Sequence, residues 1–147
     1  MAKVKPIPEG YHSVTPFLSI KGTDRAIDFY KRAFGAVEKF RMPGPDGKIM
    51  HAELTIGDST IMLSEAMHEP PSVSSMYVYV PDADKAFDRA VKAGAKVKMP
   101  LANMFWGDRY GSVSDPYGNT WAIATHVEDV PPQEMPKRAQ AAMAQMK

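Results

Sequence analysis

Subtracting sixty from residue numbers in the second half of this chain returns, again and again, the same kind of residue. Asp84 maps onto Asp24, Ala86 onto Ala26, Asp88 onto Asp28 and Ala93 onto Ala33, while Tyr77 falls on Phe17. The glycines that stop the two helical patterns, Gly35 and Gly94, follow one residue out of step. Self-similarity at a fixed period marks a duplicated supersecondary unit. Each copy reads strand, capped helix, glycine stop, then three more strands. This predicts an α+β fold of two βαβββ modules, at residues 11–68 and 72–128, with a tail at 129–147 that either docks as a short helix or frays.

A module of one helix and four short strands covers only one face of its sheet. The pair is therefore expected to form a curved, cup-shaped mixed sheet with the helices outside, as one domain. Within the first copy, His12–Ile20 alternates as a strand, with Thr15, Phe17 and Ser19 on one face and Leu18 and Ile20 on the other. Thr23 or Asp24 is the expected cap of a helix carrying Ala26, Ile27, Phe29, Tyr30 and Ala33 at helical spacing. Strands follow at Val37–Met42, Ile49–Ile56 and Thr60–Ser64. In the second copy Ser75–Val80 is a strand and Asp82 caps a helix ended by Gly94. Ala66–Ser74, with Pro70, Pro71 and two serines, is the natural linker and a candidate lid.

The stretch from Phe105 to Trp121 holds both tryptophans and two turn signals. Asp115-Pro116-Tyr117-Gly118-Asn119 has the chemistry of a hairpin turn, between a strand ending near Ser114 and one starting near Asn119. Phe105, Trp106 and Tyr110 are expected on the first of these strands, as core or as a stacking surface. Gly107 and Gly111 permit a bulge, which leaves their facing open. Arg109 is expected to pair with Asp115 or to clamp an anionic ligand.

Composition removes several classes of function. A net charge of +1, from 18 basic and 17 acidic residues dispersed along the chain, offers no stripe for nucleic acid. The absence of cysteine removes disulfides, thiolate catalysis and sulfur-ligated metals. Neither a secretory leader nor an eighteen-residue apolar run is evident, so no membrane partner and a cytoplasmic location are expected.

These residues resemble a known family. The paired modules, the run Ala26-Ile27-Asp28-Phe29-Tyr30 with Phe34-Gly35, and the Asp115–Asn119 turn are similar to the vicinal oxygen chelate superfamily. That superfamily holds glyoxalase I, bleomycin resistance proteins, fosfomycin resistance enzymes and extradiol dioxygenases. Thr15-Pro16-Phe17-Leu18, His51-Ala52-Glu53-Leu54 and Phe105-Trp106 resemble its PhnB-like subgroup. The resemblance implies a homodimer. It also implies metal-ligand places near Thr15, Glu53, Ser75 and Ala122, of which only Glu53 is a competent ligand. Neither a metal nor another cofactor is therefore expected.

Strand parity aims Phe17, Tyr77, Tyr79, His51 and Glu53 into the expected cup, where Phe105, Trp106 and Tyr110 join them as candidate ligand-binding residues. The favoured expectation is a protein that encloses a small, partly aromatic molecule without a metal. The alternative is a lyase or isomerase in which Glu53 acts as general base, with His51 orienting it, or ligates an atypical metal site; His126 is a further candidate for that group. Whether the chain is an enzyme is left open at this level.

Overall fold

The computed structural model describes residues 4–146. The chain divides into two compact units, one of the residues up to Ser74 with Pro116–Asn119, the other of Ser75–Asp115 with Thr120 onward.

The first unit runs β1 (Phe17–Ile20), α1 (Thr23–Phe34), β2 (Val37–Pro43), β3 (Ile49–Ile56) and β4 (Ser59–Glu65). Its sheet has the order β1-β4-β3-β2, with β1 parallel to β4 and the other pairs antiparallel. The second unit runs β5 (Ser75–Tyr79), α2 (Ala83–Ala93), β6 (Lys96–Asn103), β7 (Asp108–Ser114) and β8 (Thr120–His126). Its order β5-β8-β7-β6 repeats the first, again with a parallel β5–β8 pair. The α+β duplication expected from the sixty-residue offset is thus present, and Phe17 and Tyr77 occupy matching positions, opposite Met62 and Ala122. A third helix, α3 (Met135–Gln145), follows. Among the described residues, no helix is long and apolar enough to cross a membrane.

In the first unit, α1 buries Ala26, Ile27, Phe29, Tyr30 and Ala33 against the sheet face that carries Leu18, Ile20, Ala52, Leu54 and Leu63. Tyr117, from the β7–β8 turn, adds its ring to Phe29 and Tyr30 at centroid distances of 6.1 and 6.2 Å. This explains why those four residues of the turn cluster with the first unit.

Three local expectations need correction. The strand at His12–Ile20 is confined to Phe17–Ile20. Pro16 has no N–H to give a ladder and sits where a proline is tolerated, just ahead of an edge strand. Neither Thr23 nor Asp24 caps α1: Gly22 is the N-cap, and the Glu65 carboxylate at the end of β4 accepts from the backbone N–H groups of Gly22 and Thr23. A distant carboxylate does the work that a local cap does elsewhere, and it sits where the helix dipole favours negative charge. Phe105 and Trp106 lie not on a strand but in the turn preceding β7.

Asp82 caps α2 as expected, its side chain accepting from the Lys85 N–H at 3.1 Å. The segment after β4 is stitched to β1. The Ser72 N–H donates to the Ser19 carbonyl at 2.9 Å, and the Ser72 hydroxyl accepts from the Ser19 N–H at 3.0 Å. This covers part of an otherwise open sheet edge.

Candidate functional site

Each sheet turns one face toward its helix and presents side chains of the opposite parity on the other face. In the first unit that open face carries Phe17 from β1, Phe40 and Met42 from β2, and His51 and Glu53 from β3. Phe40 stands directly across from Glu53, and Met42 across from His51. The His51 ring lies 6.2 Å from that of Phe17 and 6.3 Å from that of Phe40. His51 Nε2 lies 2.9 Å from one Glu53 oxygen, and the Tyr11 hydroxyl donates to the other. The structure thus brings the expected His51–Glu53 pair together with Phe17. Tyr11 was missed because it lies ahead of the first alternating strand pattern, and no local pattern ties it to β3.

In the second unit the open face centres on Asp108. Its side chain is 1% exposed. Asp108 Oδ2 accepts from the Tyr77 hydroxyl at 2.6 Å, the Tyr79 hydroxyl at 2.9 Å and the Trp106 indole N–H at 3.1 Å. Oδ1 faces His126 Nδ1 at 2.9 Å, directly across from it on β8. His126 Nε2 in turn faces an Asp129 oxygen at 2.7 Å. An ionised carboxylate on each ring nitrogen favours the imidazolium form of His126, in which both nitrogens donate.

The electrostatics follow. Burial pushes the Asp108 carboxyl up, but the bonds from Tyr77, His126, Tyr79 and Trp106 outweigh it and hold the group below its ordinary value. The bond to Asp108, reinforced by Asp129, raises the His126 pKa. Burial, with the bond to Asp108, raises that of Tyr77 strongly. Tyr79 is raised by its bond to the same carboxylate.

Around this hub the rings form a continuous chain. Tyr77 lies 5.2 Å from Tyr79 and stacks on Tyr110 at 5.6 Å. Trp106 meets Tyr110 edge-on at 5.6 Å, and Phe105 meets Trp106 at 5.0 Å. The small Ala122 and Ala124 lie opposite Tyr77 and Tyr79 on β8. Tyr77 and Tyr79 remain 45% and 61% exposed, too much for side chains that serve only as core.

All the aromatic candidates named from the sequence in this unit therefore gather on one face. One expectation about charges is overturned. Arg109 does not pair with Asp115: it makes a fork to both carboxylate oxygens of Asp84 on α2, at 2.8 and 2.9 Å, and reaches Asn103. Asp115 accepts from the Trp121 indole at 2.9 Å. His126 is bound between Asp108 and Asp129. One bulge does fall at Gly111: β6 carries an extra residue between Met99 and Ala102, opposite Gly111. β7 pairs with β8 in unbroken register, and the irregularities lie in the pairing with β6. Parity therefore holds along β7, placing Asp108, Tyr110 and Ser112 on one face.

Of the four places that the resemblance implies for metal ligands, only Glu53 carries a strong ligand. Thr15 and Ser75 offer neutral hydroxyls, Ala122 offers no donor, and both Glu53 oxygens are engaged by Tyr11 and His51. Among the described residues, no group of three or more His, Asp or Glu side chains is placed to hold a metal ion.

Comparison with known proteins places this architecture. The Glyoxalase/Bleomycin resistance protein/Dioxygenase superfamily profile matches residues 12–123. An uncharacterized protein of Mycobacterium tuberculosis is 40% identical, the match covering 90% of this chain and 82% of that protein. Protein YjdN of Escherichia coli is 28% identical, over 75% of this chain and 92% of its own length. Among solved structures, TioX from a Micromonospora species superposes with a TM-score of 0.65 at 30% identity, covering 78% of this chain and all (100%) of that one. The PhnB protein of Bacillus cereus shares the fold at 18% identity, with a TM-score of 0.59 over 78% of this chain and 99% of its own. With its duplicated βαβββ units and a profile match across most of its length, this chain belongs to the glyoxalase/bleomycin resistance protein/dioxygenase superfamily.

Proposed function

We propose that this chain binds a small, partly aromatic molecule, without a metal, on the aromatic open faces of its sheets. The observation that carries this reading is the outward exposure of rings that are fixed from beneath. Tyr77, Tyr79 and Trp106 are tied to one buried carboxylate, yet Tyr77 and Tyr79 stay about half exposed. Fixed rings lose little entropy when a planar molecule stacks on them, and each such contact is worth about 0.5–1.5 kcal/mol beyond area burial. Phe17 is likewise 52% exposed at the matching position of the first unit. The proposal includes a homodimer, which light scattering at micromolar concentration tests.

The test of binding is a thermal-shift and calorimetry screen of planar aromatic compounds against metal-free protein, beside Trp106→Ala. Saturable binding that is lost in the variant is expected. Binding only after a divalent metal is added, or unchanged in Trp106→Ala, overturns the reading.

A second reading has its own observation, the Tyr11–Glu53–His51 hydrogen-bonded set on the first open face. A carboxylate between a phenol and an imidazole is equipped to take a proton from a substrate and pass it on, which suits a lyase or isomerase. Loss of turnover in a folded Glu53→Gln variant supports that role, and retained turnover excludes it.

A further inference from the structure

We infer that the ligand of the second unit's aromatic face is an organic cation, an aromatic or alkylated ammonium, rather than a neutral or anionic aromatic. This rests on the binding reading above and narrows it.

The first argument concerns where the polar hydrogens point. The hydroxyls of Tyr77 and Tyr79 both donate to Asp108, and the Trp106 indole N–H is shared between Asp108 and the Tyr77 oxygen, at 3.1 Å each. Both ring N–H groups of His126 donate to carboxylates. All five of these hydrogens are thus committed to Asp108, Asp129 and Tyr77, and of the donors in this cluster the Tyr110 hydroxyl remains. An anion needs donors, and the cluster has spent nearly all of its own.

The second argument is charge. Asp108, Asp129 and the protonated His126 sum to −1 + 1 − 1 = −1, and deprotonating His126 makes the sum more negative. Nearby cations are committed elsewhere. Arg109 is forked onto Asp84, and Arg138 onto Glu128. Lys98 bonds Thr120, at the other end of β8 from His126, about 20 Å away by strand rise.

The third argument concerns the rings themselves. A phenol that donates to a carboxylate carries extra electron density in its ring, which deepens the negative potential of the face. Tyr77 and Tyr79 both donate in this way, with Trp106 and Tyr110 beside them. Tyrosine and tryptophan rings whose polar edges meet a buried negative charge make an arrangement that a diffuse organic cation fits.

Three flat molecules of nearly one shape test this at pH 6. They are N-methylquinolinium, the neutral methylnaphthalene and the anionic naphthoate, titrated while the Trp106 indole N–H resonance is followed. The cation is expected to bind about tenfold more tightly than its neutral counterpart, between the scales of an exposed and a desolvated cation–π contact, with naphthoate weakest. In Asp108→Asn that preference is expected to fall to within about threefold. Should that variant fail to fold, His126→Gln serves instead, since it removes the positive charge from a half-exposed position and is expected to strengthen the cation's preference. Equal binding of cation and neutral molecule overturns the inference while leaving the binding reading intact. A preference that Asp108→Asn leaves whole, or that His126→Gln leaves unchanged or weakens, also overturns it. No response to any of the three overturns the binding reading and the inference together.

Discussion

The indole of Trp106 and the carboxylate of Asp108, two residues apart, are joined by a 3.1 Å hydrogen bond that folds the turn back onto the strand it precedes. That bond, with a second to the Tyr77 hydroxyl, fixes the indole beside Tyr77 and Tyr110. Removing the acceptor takes a partner from four groups at once, Tyr77, Tyr79, Trp106 and His126. Asp108→Ala is expected to cost roughly 1–3 kcal/mol in urea unfolding, since the partly exposed donors recover some bonding from water. The Trp106 indole resonance is expected to move toward that of free indole. A Trp106 signal unchanged in the variant would show that packing, rather than this bond, holds the ring.

Gly107 sets the same turn from the backbone. It has φ +105°, and an added Cβ would lie 2.1 Å from the Glu128 carbonyl oxygen, whose own backbone N–H donates to Gly107 O. Nothing about that obstruction is flexible. Gly107→Ala is expected to destabilise by about 1–3 kcal/mol or more and to displace Trp106 and Asp108 together. Thermal unfolding and the Trp106 resonance both report it, and a variant with parental stability would argue against the close approach.

The different reach of sequence and structure shows in particular residues. The helices were legible because Ala26, Phe29, Tyr30 and Ala33 repeat at 3.6-residue spacing, and Gly35 and Gly94 end them in positive φ, all local signals. The Asp115–Asn119 turn was legible for the same reason. Asp108 was not. It stands beside Arg109 in a segment whose parity two glycines made ambiguous, and only the unbroken β7–β8 pairing aims Asp108 at His126 and Arg109 toward α2. Tyr11 reaches Glu53 across 42 positions, with no periodic pattern to announce it.

Glu65 illustrates a long-range device of the same kind with a measurable size. Its carboxylate accepts from Gly22 N–H at 3.0 Å and Thr23 N–H at 3.0 Å, serving the two first backbone donors of α1. Glu65→Ala is expected to cost about 0.5–2 kcal/mol, in the range of losing a side-chain cap. Glu65→Gln, which keeps an acceptor but no charge, is expected to lie between the two. The order parent, Gln, Ala in denaturation midpoint checks this, and an Ala variant as stable as the parent would remove Glu65 from the capping role.

His126 couples the second unit to pH. Its pKa is raised from the ordinary value of 6.5, first by the bond to Asp108 and then by that to Asp129. A group whose pKa is higher folded than unfolded binds its proton more tightly in the folded state. Its contribution is therefore full below about pH 6.5 and is lost as pH rises through the elevated folded value. Asp108 has the opposite sign: its pKa is lowered, so its contribution holds above its ordinary value and fades as pH falls through the lower folded one. Between these limits both groups are charged and the cluster is complete. Melting temperatures from pH 5 to 9 are expected to decline on the alkaline side more steeply for the parent than for His126→Gln. The difference between the two curves isolates this residue, because the other histidines are present in both proteins. Parallel curves across that range would mean that His126 releases its proton at the same pH folded and unfolded, and that the contacts to Asp108 and Asp129 do not hold its charge in solution.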